Sequence, residues 1–87
     1  MRADLTRRAS KFLRTAPSDV AIRVWERIHE LEANPHPSDA VQVAAEMYSG
    51  HEVHRVRVGK YRVKYSLIVS LRQLVILDID KRSRVYK

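Results

Sequence analysis

The sequence predicts an α+β domain in which two N-terminal helices cover one face of an antiparallel sheet. Two observations lead to that prediction: apolar residues recur at helical spacing up to about residue 33, and the period changes to two from Val53 onward. The chain has 87 residues, of which 45% are hydrophobic, so residues 1–87 are expected to form a single globular domain. Because both helices precede the strands, the strands are expected to form a meander beneath them.

Two helices are predicted in the first half of the chain. The first spans about residues 5–16, where apolar side chains share one face, and Pro17 ends it. The second spans about residues 18–33, with Ser18 as the expected N-cap. It is expected to end before Asn34, because a residue that precedes proline disfavours the helical region.

Three strands are predicted in the second half, over residues 53–58, 61–69 and 74–80. Gly59 and Lys60 connect the first two strands, and a two-residue connection with glycine first suits a type II′ turn. Residues 40–48 fit either a short helix or extended chain, and both alternatives stay open.

The two-residue turn fixes the register of the hairpin, and that register separates its side chains by charge. If Val58 pairs with Tyr61, then Val56 faces Val63 on the side that the helices cover. The other side presents two cross-strand pairs of cations, Arg55 with Lys64 and Arg57 with Arg62. Like charges directly opposite each other destabilise a sheet, so stability alone does not explain this face.

The same alternation assigns the third strand. Val75, Leu77 and Ile79 are expected to face the helices, which places Asp78 and Asp80 on the cationic side. Continued extended chain would add Arg82, Arg84 and Tyr86 to that side. Guanidinium groups match phosphate oxygens and an aromatic ring can stack on a base, so this groove is expected to bind phosphates.

Positive charge is concentrated in the second half. Residues 1–50 hold seven Lys or Arg and seven Asp or Glu, whereas residues 51–87 hold ten against three and carry the whole net charge of +7. This asymmetry indicates a polyanionic partner, either RNA, DNA or an acidic protein. A merely solvated charged face is the alternative, and the single sign of the pattern favours polyanion binding.

Several other classes are disfavoured. There is no cysteine for a disulfide framework, and no apolar run of the length of a secretory signal or membrane span, so a cytoplasmic protein without membrane contact is expected. No phosphate-binding loop, dinucleotide-binding loop or Ser/His/Asp constellation is present. Four scattered histidines do not make a zinc site, so neither a metal nor a cofactor is expected.

Aromatic and histidine residues are interpreted mainly as structural. Trp25, Tyr61 and Tyr65 fall on apolar faces and are expected in the core. His54 lies beside Tyr65 on the covered side and is expected to be half-buried. His51, in the turn before the first predicted strand, stays a minor candidate for a catalytic base.

The segments RVRVGKYRVKYSL and LVILDIDKRSRVYK, in this order after two helices, resemble the RelE/ParE superfamily of toxins from toxin–antitoxin pairs. Residues 55–65 match the family's R-x-R-V-G-x-Y-R-V-x-Y hairpin, and residues 81–86 match its terminal basic-x-x-V-Y element. Members usually begin with a strand before the first helix. Here only residues 1–5 precede or overlap that helix, so the first strand is expected to be short or missing.

The resemblance implies a toxin that a cognate antitoxin inhibits. RelE-like members cut messenger RNA in the ribosomal A site, whereas ParE-like members inhibit DNA gyrase without cutting. The presence of both Arg82 and Tyr86 favours the RelE-like branch, with ribosome and messenger RNA as partners. A ParE-like gyrase inhibitor and an inactive basic RNA-binding module stay open as alternatives.

RNA cleavage without a metal requires in-line attack of a 2′-oxygen on the adjacent phosphorus, with proton transfer and stabilisation of phosphate charge. The resemblance implies catalytic roles for Arg55, Arg62, Arg82 and Tyr86. Arginine keeps its proton near neutral pH, so proton transfer is assigned to Tyr86 or to Lys64 instead. Further RNA-binding positions are Arg57, Lys60, Lys81 and Arg84.

Overall fold

Within residues 1–81 the chain folds into a five-stranded sheet with two helices packed on one face, which confirms the predicted α+β class. The structure, a computed structural model, describes residues 1–81. Its elements are β1 (Arg2–Leu5), α1 (Arg7–Thr15), α2 (Ser18–Ala33), β2 (Val41–Tyr48), β3 (His51–Val58), β4 (Tyr61–Ile68), a 3₁₀ turn (Val69–Leu71) and β5 (Gln73–Lys81). The strand order is β1-β5-β4-β3-β2, and β1 runs parallel to β5 while the other neighbours are antiparallel.

The N-terminal segment forms an edge strand. β1 is four residues long and pairs with β5, so the first strand is short and present. The predicted start of α1 at residue 5 is wrong, because Thr6 is the N-cap and its hydroxyl accepts a hydrogen bond from the Ala9 N–H at 3.2 Å. Glu32 of α2 closes the outer side of β1, since its Oε2 accepts from the Ala3 N–H at 2.7 Å.

The second helix ends at Ala33 as predicted, but its start and its buried face differ in detail. Pro17 is the N-cap and makes no side-chain capping hydrogen bond, so the prediction that Ser18 caps the helix is wrong. Trp25 is 39% exposed rather than buried in the core. The buried stripe of α2 consists of Val24, Ile28 and Leu31, and Trp25 lies at its margin, where its ring stacks on His29.

The core lies between the helices and the sheet. Its fully buried residues include Ala9, Val24, Ile28 and Leu31 from the helices and Val56, Val63, Leu74 and Ile76 from the strands. Tyr65 is 1% exposed and donates its hydroxyl to the Pro35 carbonyl at 3.2 Å. Burial raises the pKa of Tyr65, which keeps that donor protonated. The half-buried His54 lies against Tyr65, as expected. Tyr61 was expected in the core but is only half-buried, and it packs edge-on against Phe12.

A bulge in β5 changes the face on which its apolar residues lie. Lys64 is opposite Asp78, but the next pair is Tyr65 with Ile76, so Leu77 has no partner in β4. The extra residue interrupts the alternation that the sequence pattern assumed. Register therefore differs on the two sides of the bulge.

The expected inward-facing set of β5 is wrong in part for this reason. Ile79 lies in the core as predicted. Beyond the bulge the core residues are Leu74 and Ile76, and not Val75 and Leu77. The acidic residues of β5 stay on the side opposite the helices, because the pairing with β4 has no further interruption between Asp78 and Lys81.

The strand boundaries shift slightly from the predicted ones. Val41–Tyr48, within the stretch for which helix and extended chain were both open, forms the edge strand β2. β3 begins two residues earlier than predicted, and β4 ends at Ile68 because the 3₁₀ turn starts at Val69. No helix within residues 1–81 is long and apolar enough to cross a membrane.

Candidate nucleic-acid interface

The β3–β4 hairpin has the predicted register. Arg55 is opposite Lys64 and Arg57 is opposite Arg62. Gly59 has a φ of +57°, the left-handed value that the first position of a type II′ turn requires and that glycine adopts without a steric cost. The turn therefore fixes which residues of the two strands share a face.

Four cations lie on the sheet face opposite the helices, and we call them the basic face: Arg55, Arg57, Arg62 and Lys64. Their neighbours on the same strands, Val56 and Val63, are buried against the helices. Strict alternation along two paired strands produces this separation. The basic face is thus a direct consequence of the hairpin pattern read from the sequence.

Arg62 is buried, although the hairpin register places it on the face that was expected to bind phosphates. It is 9% exposed, and its Nε lies 3.7 Å from Oδ1 of Asp80, the residue opposite it on β5. Burial of a guanidinium is costly unless a carboxylate or other acceptor compensates it. Asp80 provides such a compensation for part of the Arg62 charge.

Lys64 is held by an acidic residue that the sequence did not reveal. Its Nζ lies 3.1 Å and 3.3 Å from the two carboxylate oxygens of Glu46. Glu46 belongs to the edge strand β2 and reaches across β3 to make this contact. The period of residues 40–48 is irregular, so no signal in the sequence alone pointed to the pair.

Arg55 and Arg57 are the two cations of the basic face that are available to bind an external anion. Within residues 1–81, neither forms an ion pair with an acidic side chain. Asp78, the second acid that β5 places on this side, instead lies 3.9 Å from Nε of Arg8 on α1. Two guanidinium groups on one strand can therefore contact an external anion without first losing an internal partner.

The other predicted site residues lie elsewhere. Lys60 occupies the exposed hairpin turn. Lys81 is exposed and lies opposite Tyr61, on the side of the sheet that carries the helices. Three further predicted residues lie outside the described residues: Arg82, Arg84 and Tyr86.

Three histidines line a cavity that is separate from the basic face. His36, His51 and His54 line an open cavity of about 350 Å³ together with Glu52 and Leu67. Among residues 1–81, no group of histidine and acidic side chains is arranged to hold a metal ion. His51, the minor candidate for a catalytic base, thus lies at this cavity with two other histidines and not on the basic face.

Sequence comparison finds a clear relative among curated proteins. A protein of Methanocaldococcus jannaschii that carries the toxin name RelE1 is 31% identical over 84 residues, which span 97% of this chain and 92% of the relative. No protein-family model matches the chain.

Structural comparison leads to the same group of proteins. The archaeal RelE–RelB complex of Pyrococcus horikoshii contains a chain with a TM-score of 0.79 and 28% identity, covering 95% of this chain and 96% of that chain. The RelBE2 toxin–antitoxin complex of Mycobacterium tuberculosis gives a TM-score of 0.75 over 92% of this chain and 95% of that chain, and its 23% identity supports the fold alone. The chain therefore belongs to the RelE toxin family of toxin–antitoxin systems.

Proposed function

We propose that this protein is a ribosome-dependent endoribonuclease that cuts messenger RNA in the ribosomal A site. The basic face is the observation that carries the proposal. It places Arg55 and Arg57 side by side on β3 without carboxylate partners among residues 1–81, and Lys64 on the neighbouring strand. Guanidinium groups bind phosphate oxygens in a bidentate manner, so this face suits an RNA backbone.

The reaction is an internal transesterification of the RNA. The 2′-oxygen attacks the adjacent phosphorus, the bond from phosphorus to the 5′-oxygen breaks, and the 2′ proton is balanced by a proton delivered to the leaving oxygen. The products are a 2′,3′-cyclic phosphate and a 5′-hydroxyl. Arg55 and Arg62 stabilise the charge that develops on the non-bridging oxygens, because fixed donors act without reorganisation at the moment of reaction.

Proton transfer is assigned to Tyr86 and Lys64, with Arg82 as a third phosphate contact. Arginine is a poor proton carrier near neutral pH, which leaves the three arginines of the basic face to an electrostatic role. The ammonium of Lys64 is already engaged by Glu46. A site with so few groups for proton transfer supports the ribosome dependence, since the ribosome would supply the orientation of the message.

A second part of the proposal concerns inhibition. The solved relatives include RelE chains crystallised with RelB antitoxins. The net charge of +7 supports a cognate antitoxin whose acidic segment binds this chain and blocks the basic face. Co-expression of that antitoxin should relieve growth arrest. An antitoxin that neutralises the toxin after losing its acidic residues would contradict the electrostatic part of this proposal.

Primer extension on messages bound to purified ribosomes tests the activity. The expected result is a set of new 5′ ends within the A-site codon that carry a hydroxyl, so a kinase labels them without prior phosphatase treatment. Equal cleavage of ribosome-free RNA would contradict the ribosome dependence. Inhibition of gyrase supercoiling without new 5′ ends would instead favour the ParE-like alternative.

A further inference from the structure

The edge strand β2 carries a large bulge beside the basic face. Its pairing with β3 is interrupted between Gln42 and Met47, where residues 43–46 lie opposite Val53 alone. Ala45 within this bulge has a φ of +65°, a left-handed conformation that alanine rarely adopts. Bulges of this kind redirect side chains and occur next to functional sites, so the contact that the redirected side chain makes is a candidate functional contact.

That side chain is Glu46. It follows Ala45 directly and reaches over β3 to Lys64, with carboxylate oxygens at 3.1 Å and 3.3 Å from Nζ. The side chain of Glu46 is 47% exposed, whereas that of Lys64 is 22% exposed. The carboxylate is thus the more exposed partner of the pair, and an external anion could compete with it for the ammonium group.

We propose that Glu46 is a specificity-determining counter-anion, which occupies Lys64 until a phosphate of single-stranded RNA replaces it. This inference rests on the proposed function of the basic face. The structure gives Lys64 an internal anion at hydrogen-bonding distance, while Arg55 and Arg57 have none among the described residues. RNA can therefore bind Arg55 and Arg57 directly, whereas it must displace the Glu46 carboxylate to bind Lys64.

The exchange is feasible because the ion pair is weak. Partly exposed pairs contribute little to stability, since both groups are well solvated when apart. A phosphate that replaces Glu46 gains a contact but releases a carboxylate that recruits a cation from solution. Loose binding of RNA through its backbone alone is thereby reduced, and a message held in place by additional contacts is favoured.

Binding of a non-cleavable RNA tests the proposal. The probe is a fluorescein-labelled, single-stranded RNA with 2′-O-methyl groups throughout, titrated with the full chain and followed by fluorescence anisotropy. Glu46→Gln should tighten binding by about two- to fivefold, the affinity equivalent of an exposed ion pair. The slope of log affinity against log salt concentration should become steeper by about 0.7, because the phosphate contact to Lys64 is then no longer offset by a cation that the released carboxylate takes up.

Two matched variants decide whether the effect is local. Glu26→Gln makes the same change in net charge at an exposed position of α2 and should tighten binding much less, because salt screens distant charges. In a Lys64→Gln background, Glu46→Gln should give no gain in affinity. Unchanged or weaker binding by Glu46→Gln, an equal gain from Glu26→Gln, or a gain that persists without Lys64 would each overturn the proposal.

These measurements do not depend on catalysis. If the gain requires Lys64 but ribosome-bound messages are not cleaved, the exchange is supported and the endoribonuclease proposal fails. If messages are cleaved but the gain is absent, the endoribonuclease proposal is supported and the exchange fails.

Discussion

The two faces of strand β4 illustrate two different solutions to burial. Val63 and Tyr65 face the helices and are 0% and 1% exposed, and apolar packing accounts for their stability. Arg62 and Lys64 alternate with them on the opposite face and are buried or half-buried as well. On that face, Asp80 of β5 lies beside Arg62, and Glu46 of β2 lies beside Lys64. One face thus stabilises the fold, while the other holds charge that the fold alone does not require.

This difference explains why the like-charged pairs across the hairpin are tolerated. Like charges directly opposite each other in a sheet are destabilising by roughly 0.2–1 kcal/mol per pair. Asp80 and Glu46 lie beside one member of each pair and offset part of that repulsion. The separation between the faces gives distinct expectations for mutation: variants of the helix-covered face should change stability, and variants of the basic face should change RNA chemistry.

The largest expected effect concerns a residue whose change should alter chemistry without altering the core. Tyr86→Ala removes both stacking and proton transfer and should lower cleavage of ribosome-bound message by about 10²–10⁴-fold. Tyr86→Phe keeps a ring that can stack and removes the hydroxyl. A similar loss in both variants would assign proton transfer to the hydroxyl. Parental cleavage rates in both variants would contradict a catalytic role for Tyr86.

The helix-covered face should show the opposite behaviour. Ile79 is 3% exposed and lies opposite Val63, so Ile79→Ala should lower the free energy of unfolding by about 2–4 kcal/mol through lost burial and a cavity. Affinity for non-cleavable RNA should stay at the parental value at a temperature where the variant is folded. Urea unfolding and anisotropy measure the two quantities. A large loss of RNA affinity in the folded variant would contradict the claim that the helix-covered face affects stability alone.

Arg62 lies between these two extremes, because it is both buried and part of the basic face. Arg62→Ala should reduce the free energy of unfolding by about 1–2 kcal/mol, since a half-buried Asp80 then loses a nearby cation. Adding Asp80→Asn should recover part of the loss in urea unfolding. An unchanged unfolding midpoint in Arg62→Ala would contradict the structural role.

The smallest expected effect is a pH dependence on the helix side. The Ala3 N–H, and after it the His29 ring, lower the pKa of Glu32 below its ordinary value of 4.5. A lowered pKa in the folded state means that the stabilisation is present above pH 4.5 and is lost as the pH falls through the folded-state value. The difference in unfolding free energy between the parent and Glu32→Gln should therefore shrink below that pH. Urea unfolding across pH measures it, and the exposed Glu26→Gln is the control. A difference that is constant with pH would contradict the assignment.

The sequence predicted those features that depend on local pattern. The hairpin register followed from a two-residue turn and strict alternation, so the basic face and the burial of Val56 and Val63 could be derived from the order of residues alone. The end of α2 followed from a proline two residues after Ala33 in the same way. In each case neighbouring residues determine the outcome.

Features that depend on distant contacts were not predicted. The bulge at Leu77 reverses the alternation of β5, and nothing in a run of apolar residues marks one of them as unpaired. β1 gains its stability from parallel pairing with a strand about 70 residues later in the chain, so its four residues carry little local signal. The contact of Glu46 with Lys64 depends on the irregular backbone of β2, which the sequence left open.

The most direct test of the basic face as the RNA site is the cleavage rate of ribosome-bound message by Arg55→Gln. Arg55 lies on the basic face without a carboxylate partner among residues 1–81, so its loss should leave the urea unfolding midpoint almost unchanged. Cleavage should fall by about 10²-fold, the typical loss for a donor that stabilises developing charge. Arg72→Asn, which removes the same charge at an exposed position where φ is +51° and asparagine is tolerated, should cleave at the parental rate. Equal cleavage by Arg55→Gln and the parent would contradict the assignment of the basic face as the RNA site.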